Sequence, residues 1–303
     1  MNQYSGIWPV APTPFHDDGT IDEEGMGRVL DCLIDQGADG ICILANFSEQ
    51  FLLSDAERER LTRLSLEHVA GRVPVIVTIS HFATRIAVER ARLAKDLGAD
   101  IVMMMPPYHG ALLKGNAAQT FEQFRAVGEV GIPIMIQDAP LSGVDLPVPL
   151  LVKMAREIEM VKLFKIECPQ AANKLRALIA EGGDAIEGPF DGEEAITLLA
   201  DLDAGARGSM TSGMIVDQIK PVIELYHAGR TNAAADAYGR VLPAINHENR
   251  QCGWRSCKAA MVEGGVIRSE YCRHPIEPLH PSIRERLIML LKPLDPLVLR
   301  WGR

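Results

Sequence analysis

The sequence is short of basic charge, of aromatic residues and of long apolar runs, and each shortage excludes something. Forty Asp+Glu outnumber 31 Lys+Arg, giving a formal net charge of −9, and no four Lys/Arg residues stand in a row. Phosphate backbones and anionic membrane surfaces are held by basic patches, so neither nucleic acid nor a membrane is an expected partner. No apolar stretch approaches the roughly 20 residues of a bilayer span. The opening MNQYSG has no basic segment leading into an apolar one, so no secretory leader is expected. The six cysteines (Cys32, Cys42, Cys168, Cys252, Cys257, Cys272) are scattered without a CxxC pair. That pattern fits reduced thiols in a cytoplasmic protein rather than a disulfide framework. GxGxxG and Walker-type loops are missing, as are HxH and HExxH spacings, so neither a cofactor nor a metal is expected. With aromatics at 5% of a chain that is 47% hydrophobic, the core has to be mainly aliphatic.

Eight short apolar segments are present: residues 6–11, 40–44, 73–79, 101–105, 134–137, 160–165, 185–188 and 208–210. They are continuous rather than alternating, as in parallel strands covered by helices on both faces. Stretches of helical periodicity separate them, at a spacing of one strand plus one crossover helix. Glycine turns such as Gln36-Gly37-Ala38-Asp39 and Leu97-Gly98-Ala99-Asp100 lead into several segments. A left-handed glycine ends a helix there at least cost. The predicted fold class is therefore α/β, a (β/α)8 TIM barrel over residues 1–217. A C-terminal helical region, 218–303, packs on it, with Pro243, Pro275, Pro278, Pro281 and Pro293 as breakers. A doubly wound open sheet is the alternative, since periodicity does not distinguish closure from an open edge.

In a barrel the chemistry sits at the C-terminal ends of the strands. That rule selects Asn46, Phe47, Ser48 and Glu49, then Ser80 and His81, then Pro106 to His109. It also selects Gln137 and Asp138, Lys165 to Glu167, Asp191 and Gly192, and Thr211 and Ser212. Lys165 closes a buried strand and shares a face with Val161 and Leu163. Removed from solvent, its amine loses charge and becomes a nucleophile toward carbonyls. Glu167 has the same strand parity and is the first candidate for the base, with His109, His81 and a water held by Gln137 as rivals. Glu167 could equally serve only as an ion-pair partner for a lysine. The Asn46-Phe47-Ser48 turn offers polar side chains and N–H groups for a carboxylate. Its alternative is an ordinary loop before the helix cap Ser54-Asp55-Ala56-Glu57. The cluster Asn246-His247-Glu248-Asn249-Arg250-Gln251 reads as a structural or interface network.

At these residues the chain resembles the dihydrodipicolinate synthase and N-acetylneuraminate lyase superfamily. The similarity runs through the opening Gly6-Ile7-Trp8-Pro9-Val10-Ala11-Pro12-Thr13-Pro14-Phe15, Pro106-Pro107-Tyr108, the Lys165 segment and Gly205-Ala206-Arg207-Gly208. Residues 43–50, 135–140, 164–167, 188–195 and 294–301 are similar to a branch that dehydrates 2-keto-3-deoxy sugar acids. The resemblance implies a Schiff base on Lys165, no cofactor, a small 2-oxo sugar acid as substrate, with Asn46, Phe47, Ser48, His81, His109, Gly192 and Met210 around it, and a homotetramer. Departures from the synthase pattern narrow the reaction. The Gly-Thr-Thr-Gly-Glu turn is replaced by Ala45-Asn46-Phe47-Ser48-Glu49, and the proton-relaying tyrosine by Gln137, which cannot ionise. No arginine occupies Leu141-Ser142-Gly143 to hold a second carboxylate, and the second tyrosine falls near His109. Dehydration is expected over pyruvate-dependent aldol cleavage or dihydrodipicolinate synthesis. A catalytically silent 2-oxo acid binder and a metal-dependent lyase are the readings of other classes.

Overall fold

The computed structural model describes residues 4–303. Its strands are β1 (Gly6–Ile7), β2 (Ile41–Ile43), β3 (Val75–Thr78), β4 (Ile101–Met104), β5 (Tyr108–His109), β6 (Leu113–Lys114), β7 (Ile134–Asp138), β8 (Val161–Ile166), β9 (Pro189–Asp191) and β10 (Gly208–Ser209). The described residues form two compact units, one of 4–5, 75–193 and 197–210, the other of 6–74, 194–196 and 211–303.

In the first unit six parallel strands run in the order β10-β9-β8-β7-β4-β3. Strands β3, β4 and β7 are buried at every residue, as continuous apolar runs require when both faces are covered. Helices supply the cover. Thr84–Asp96 buries Ala87, Ala91 and Ala94, a stripe at helical spacing whose small side chains allow close approach. Ala117–Gly128 starts at Asn116, whose side chain accepts from the Gln119 N–H while Gln119 reaches back to the Asn116 N–H. Ala171–Gly182 buries Leu175 and Leu178, each contributing about 1.5–3 kcal/mol.

Strands β7 and β8 do not pair evenly. Ile134 is opposite Val161 and Met135 opposite Leu163, so Lys162 is an extra residue. The bulge shifts everything after it by one position: Lys165 comes opposite Gln137, where an unbulged strand would place Phe164.

Two details differ from the sequence reading. The seventh strand is Pro189–Asp191 rather than 185–188. A strand-initial proline is tolerated because its missing N–H precedes the ladder, but it lowers the strand signal in sequence. An antiparallel hairpin, β5–β6, also follows β4 and leaves Leu112 almost fully exposed.

In the second unit Val10 bridges Cys42 on one side and Ser212 on the other, both in parallel sense. The Ala11 N–H donates to the Cys42 carbonyl at 2.8 Å and the Val10 N–H to the Thr211 carbonyl at 2.7 Å. Gly40 is required by close approach, since a Cβ there would stand 2.3 Å from the Trp8 ring. The C-terminal helices are Val216–His227, Thr231–His247, Ser256–Glu263 and Pro281–Leu291. Pro243 lies inside the second of these rather than ending it. Its ring is exposed, as is Gly239, so water can take the carbonyl bond that proline forgoes. The helix-ending glycines behave as read from sequence, with φ of +89° at Gly37, +92° at Gly98 and +101° at Gly205. Among the described residues no helix is long and apolar enough to cross a membrane, and all six cysteines are free.

Candidate active site

Three of the residues singled out in the sequence meet at the ends of β7 and β8. The Lys165 amine lies 2.6 Å from Glu167 Oε1, with both side chains largely out of solvent. Gln137 Nε2 donates to the same Oε1 at 2.8 Å, so Glu167 is held from two sides. The backbone secures it as well, the Glu167 N–H donating to the Asp138 carbonyl at 3.0 Å. Gly192, just beyond β9, completes the group. A Cβ there would come within 2.6 Å of Glu167 Cγ, 2.8 Å of Lys165 Cγ and 3.0 Å of the Ile166 carbonyl. No side chain fits between the turn and the lysine.

The parity of the strands separates two faces. Lys165 and Gln137 are register partners, and the flanking pairs are Ile166 with Asp138 and Ile166 with Asp191. On that second face Asp138 pairs with Lys174 of the helix Ala171–Gly182 at 2.6 Å. Burial pushes the Asp138 carboxyl above its ordinary range, with Lys174 pulling it back. Met210 is fully buried and its N–H donates to the Asp191 carbonyl at 2.8 Å.

The two histidines are engaged elsewhere. His81 Nδ1 accepts from the Ala83 N–H at 2.9 Å, which turns the chain into its helix. His109 is exposed on the hairpin, its ring 6.4 Å from that of Phe82. Beside it, burial pushes the Tyr108 phenol up to about 12.

In the second unit, residues Asn46–Ser48 form one 3-10 turn flanked by two left-handed residues, Leu44 at φ +58° and Glu49 at +59°. Such conformations cost about 1–3 kcal/mol each and persist where the surroundings fix them. Ser48 is the inner support. Its hydroxyl donates to the Ala11 carbonyl at 2.6 Å and accepts from the Ala45 N–H at 3.1 Å. The single hydroxyl proton is thus committed, and Ser48 cannot also donate to a ligand through its side chain. Asn46 Oδ1 accepts from Gln50 Nε2 at 2.6 Å, which leaves its amide N–H2 as the outward donor. The first amides of the turn, at Asn46 and Phe47, have no carbonyl a turn earlier to bond.

Residues that sequence reasoning passed over include Lys258. It is fully buried and paired with Glu49 in the same unit, and it donates to the Tyr271 carbonyl at 2.8 Å. Glu49 also accepts from the Arg273 N–H at 2.9 Å. The ring of Phe15 lies 4.5 Å from the Lys258 amine and 4.4 Å from the Arg273 guanidinium. Among the described residues no three His, Cys, Asp or Glu side chains gather around a point that a metal ion would fill.

Residues 3–294 match the model of the dihydrodipicolinate synthetase family. The chain belongs to that family. It is a Schiff-base lyase with the α/β fold expected from the strand spacing, a (β/α)8 barrel with C-terminal helices. Over 301 residues it is 57% identical to L-2-keto-3-deoxyarabonate dehydratase of Azospirillum brasilense, covering 99% of this chain and 97% of that one. It is 30% identical to a 4-hydroxy-tetrahydrodipicolinate synthase of Gluconacetobacter diazotrophicus, covering 91% and 92%. Among solved structures, a putative dihydrodipicolinate synthetase from Pseudomonas aeruginosa is 31% identical. It superposes with a TM-score of 0.87, over 96% of this chain and 99% of that one. Dihydrodipicolinate synthase from Aquifex aeolicus, at 23% identity and TM-score 0.90 over 97% and 99%, shares the fold.

Proposed function

We propose that this family member dehydrates a 2-keto-3-deoxy sugar acid, with L-2-keto-3-deoxyarabonate as substrate and 2,5-dioxopentanoate as product. The observation that carries the reading is the Lys165–Glu167–Gln137 group: an amine and a carboxylate 2.6 Å apart, with a non-ionisable amide holding the carboxylate. The identity to the Azospirillum dehydratase supports the substrate.

Glu167 takes a proton from Lys165, and the free amine attacks C2 of the 2-oxo acid. The carbinolamine loses its oxygen as water, taking the proton back from Glu167, and a protonated imine forms. That imine withdraws electrons from C3, where Glu167 removes a proton to give the enamine. The enamine pair expels the C4 hydroxyl, which leaves as water with the proton that Glu167 has just gained. A proton then moves from C5 to C3, leaving a C4–C5 enol whose hydroxyl proton passes to C4 to give the aldehyde, and hydrolysis of the imine releases the product and the lysine. The net change is the loss of one water. Aldol cleavage would instead need a base on the C4 hydroxyl, and Gln137 stands where an ionisable tyrosine would serve.

The Asn46 and Phe47 amides and the Asn46 side chain are donors suited to a carboxylate, with Ser48 supporting the turn. The free cysteines favour a cytoplasmic setting, and a homotetramer is the assembly that the resemblance implies.

Borohydride treatment with pyruvate, followed by peptide mapping, tests the first step. An adduct on the Lys165 peptide is expected; its absence overturns the Schiff base. Incubation with L-2-keto-3-deoxyarabonate tests the second. The semialdehyde is expected, whereas pyruvate plus glycolaldehyde would make the protein an aldolase.

A further inference from the structure

Glu167 is tied twice to the end of β7, and the end of β7 is tied in turn to a helix. Gln137 Nε2 donates to the Glu167 carboxylate at 2.8 Å, and the carbonyl of the next residue, Asp138, accepts from the Glu167 N–H at 3.0 Å. Consecutive strand residues point to opposite faces, so the Asp138 side chain leaves the Lys165 face and meets the helix Ala171–Gly182. There its carboxylate lies 2.6 Å from the Lys174 amine, with both side chains largely buried. The helix is itself fixed, with Ala171, Leu175 and Leu178 in the core. Lys174 stands at the end of its first turn, where no acidic residue accompanies it. A cation so close to a helix N-terminus is opposed by the helix dipole, so helix stability does not account for Lys174. Its partner does, since Asp138 brings the negative charge from the neighbouring strand.

We propose that Lys174 and Asp138 are positioning residues for proton transfer by Glu167, their ion pair locking the end of β7 to the helix so that both of its contacts with Glu167 are held in place. This role rests on the Schiff-base reading. The contacts close a ring. Glu167 bonds to Asp138 through the backbone, Asp138 pairs with Lys174, and the helix carrying Lys174 returns to Glu167 along the short segment Cys168-Pro169-Gln170. Asp145 and Glu167 bear on Asp138 with like charge and Lys174 with opposite charge. Without the lysine amine a buried carboxylate loses its compensating charge, and the strand end loses its hold on the helix. Glu167, 2.6 Å from the Lys165 amine, tolerates little displacement. Both residues act through Glu167, and Asp138 pairs in register with Ile166 rather than with Lys165.

Pyruvate allows proton transfer and imine formation to be read separately. In deuterium oxide the imine on Lys165 lets Glu167 take a proton from the methyl carbon, exchange it with solvent and return a deuteron, which proton NMR follows as loss of the methyl signal. Borohydride trapping to completion reads the imine alone. Lys174→Met and Asp138→Asn should each slow the exchange about tenfold, less than the roughly 10²-fold of a full 1 Å displacement, and leave the final adduct at the wild-type level. The double variant should also stand near tenfold, because either change breaks the same pair; a loss of about a hundredfold would mean independent effects and overturns the pairing. Exchange at the wild-type rate in both single variants overturns the positioning role. So does an equal loss of adduct and exchange, which would mean that Lys165 has moved as well. Circular dichroism checks folding, and if Lys174→Met does not fold, Asp138→Asn alone decides. Adduct without exchange in wild type removes Glu167 as the base and overturns the positioning role while the Schiff base stands. Absence of both in wild type overturns the Schiff base itself, and the role with it.

Discussion

Lys258 and Glu49, 209 residues apart in sequence, form an ion pair with neither side chain open to solvent. Burying both charges is costly, and their attraction offsets it only when the remaining donors and acceptors are also satisfied. Here they are: the Tyr271 carbonyl accepts from Lys258, the Arg273 N–H donates to Glu49, and the Phe15 ring lies beside the ammonium. The pair fixes a left-handed Glu49 and with it one end of the Asn46–Ser48 turn. Lys258→Met leaves a buried carboxylate unpaired and should cost about 3–5 kcal/mol of stability. The double variant Lys258→Met with Glu49→Gln should recover part of that loss. Urea denaturation midpoints of the three proteins decide it, and additive losses would show that the pair is not coupled.

Removing the charge of Glu167 separates carbon acid chemistry from imine formation. Glu167→Gln should lower kcat by about 10²–10⁴-fold, the usual range for a positioned acid-base group. Borohydride should still trap pyruvate on Lys165, though more slowly. A variant with unchanged kcat would move the base to another residue. Loss of both adduct and turnover would mean that Glu167 serves mainly to take the first proton from Lys165.

Lys165 was readable in the sequence because it ends a buried apolar run, and Glu167 because it shares its parity two residues on. Gln137 was readable as a strand-end residue but not as the partner of Lys165. That pairing depends on the bulge at Lys162, whose own sequence, Val161-Lys162-Leu163, alternates like an unbulged strand. The seventh strand slipped by a few residues because Pro189 masks it. Ser48 reads in sequence as a carboxylate donor, but the fold commits its proton to the Ala11 carbonyl, 37 residues away. The contact of Glu49 with Lys258 comes from the return of a distant segment, on which local propensity and periodicity have no bearing.

Gly192→Ala is a steric test of the site. The added methyl meets Glu167 Cγ at 2.6 Å, Lys165 Cγ at 2.8 Å and the Ile166 carbonyl at 3.0 Å. The backbone and two catalytic side chains would have to move apart, at about 1–3 kcal/mol for overpacking. A displaced lysine and base cost rate steeply, and about 10²-fold in kcat is expected from a shift near 1 Å. Thermal unfolding and kcat measured together check this. Full activity in a stable Gly192→Ala protein would show that the turn can retreat freely.

Glu248 gives the last prediction, one of pH and stability. Its carboxyl is buried with hydrogen bonds to Ser212 and Ser256, and burial pushes it up to about 7 despite them. In the unfolded chain a glutamate titrates at about 4.3. Between these values the folded protein holds a proton that the unfolded chain has released. Stability from this group is therefore complete below the unfolded value and is lost as pH rises through about 7. The slope is at most about 1.4 kcal/mol per pH unit, so the loss by pH 8 is about 3 kcal/mol. Glu248→Gln keeps an oxygen for the serine hydroxyls and has no proton to lose. Relative to wild type it should gain about 3 kcal/mol between pH 4 and pH 8, read from urea unfolding at the two pH values. All other titrating groups cancel in that comparison, so a difference independent of pH would show that the Glu248 proton does not contribute to stability.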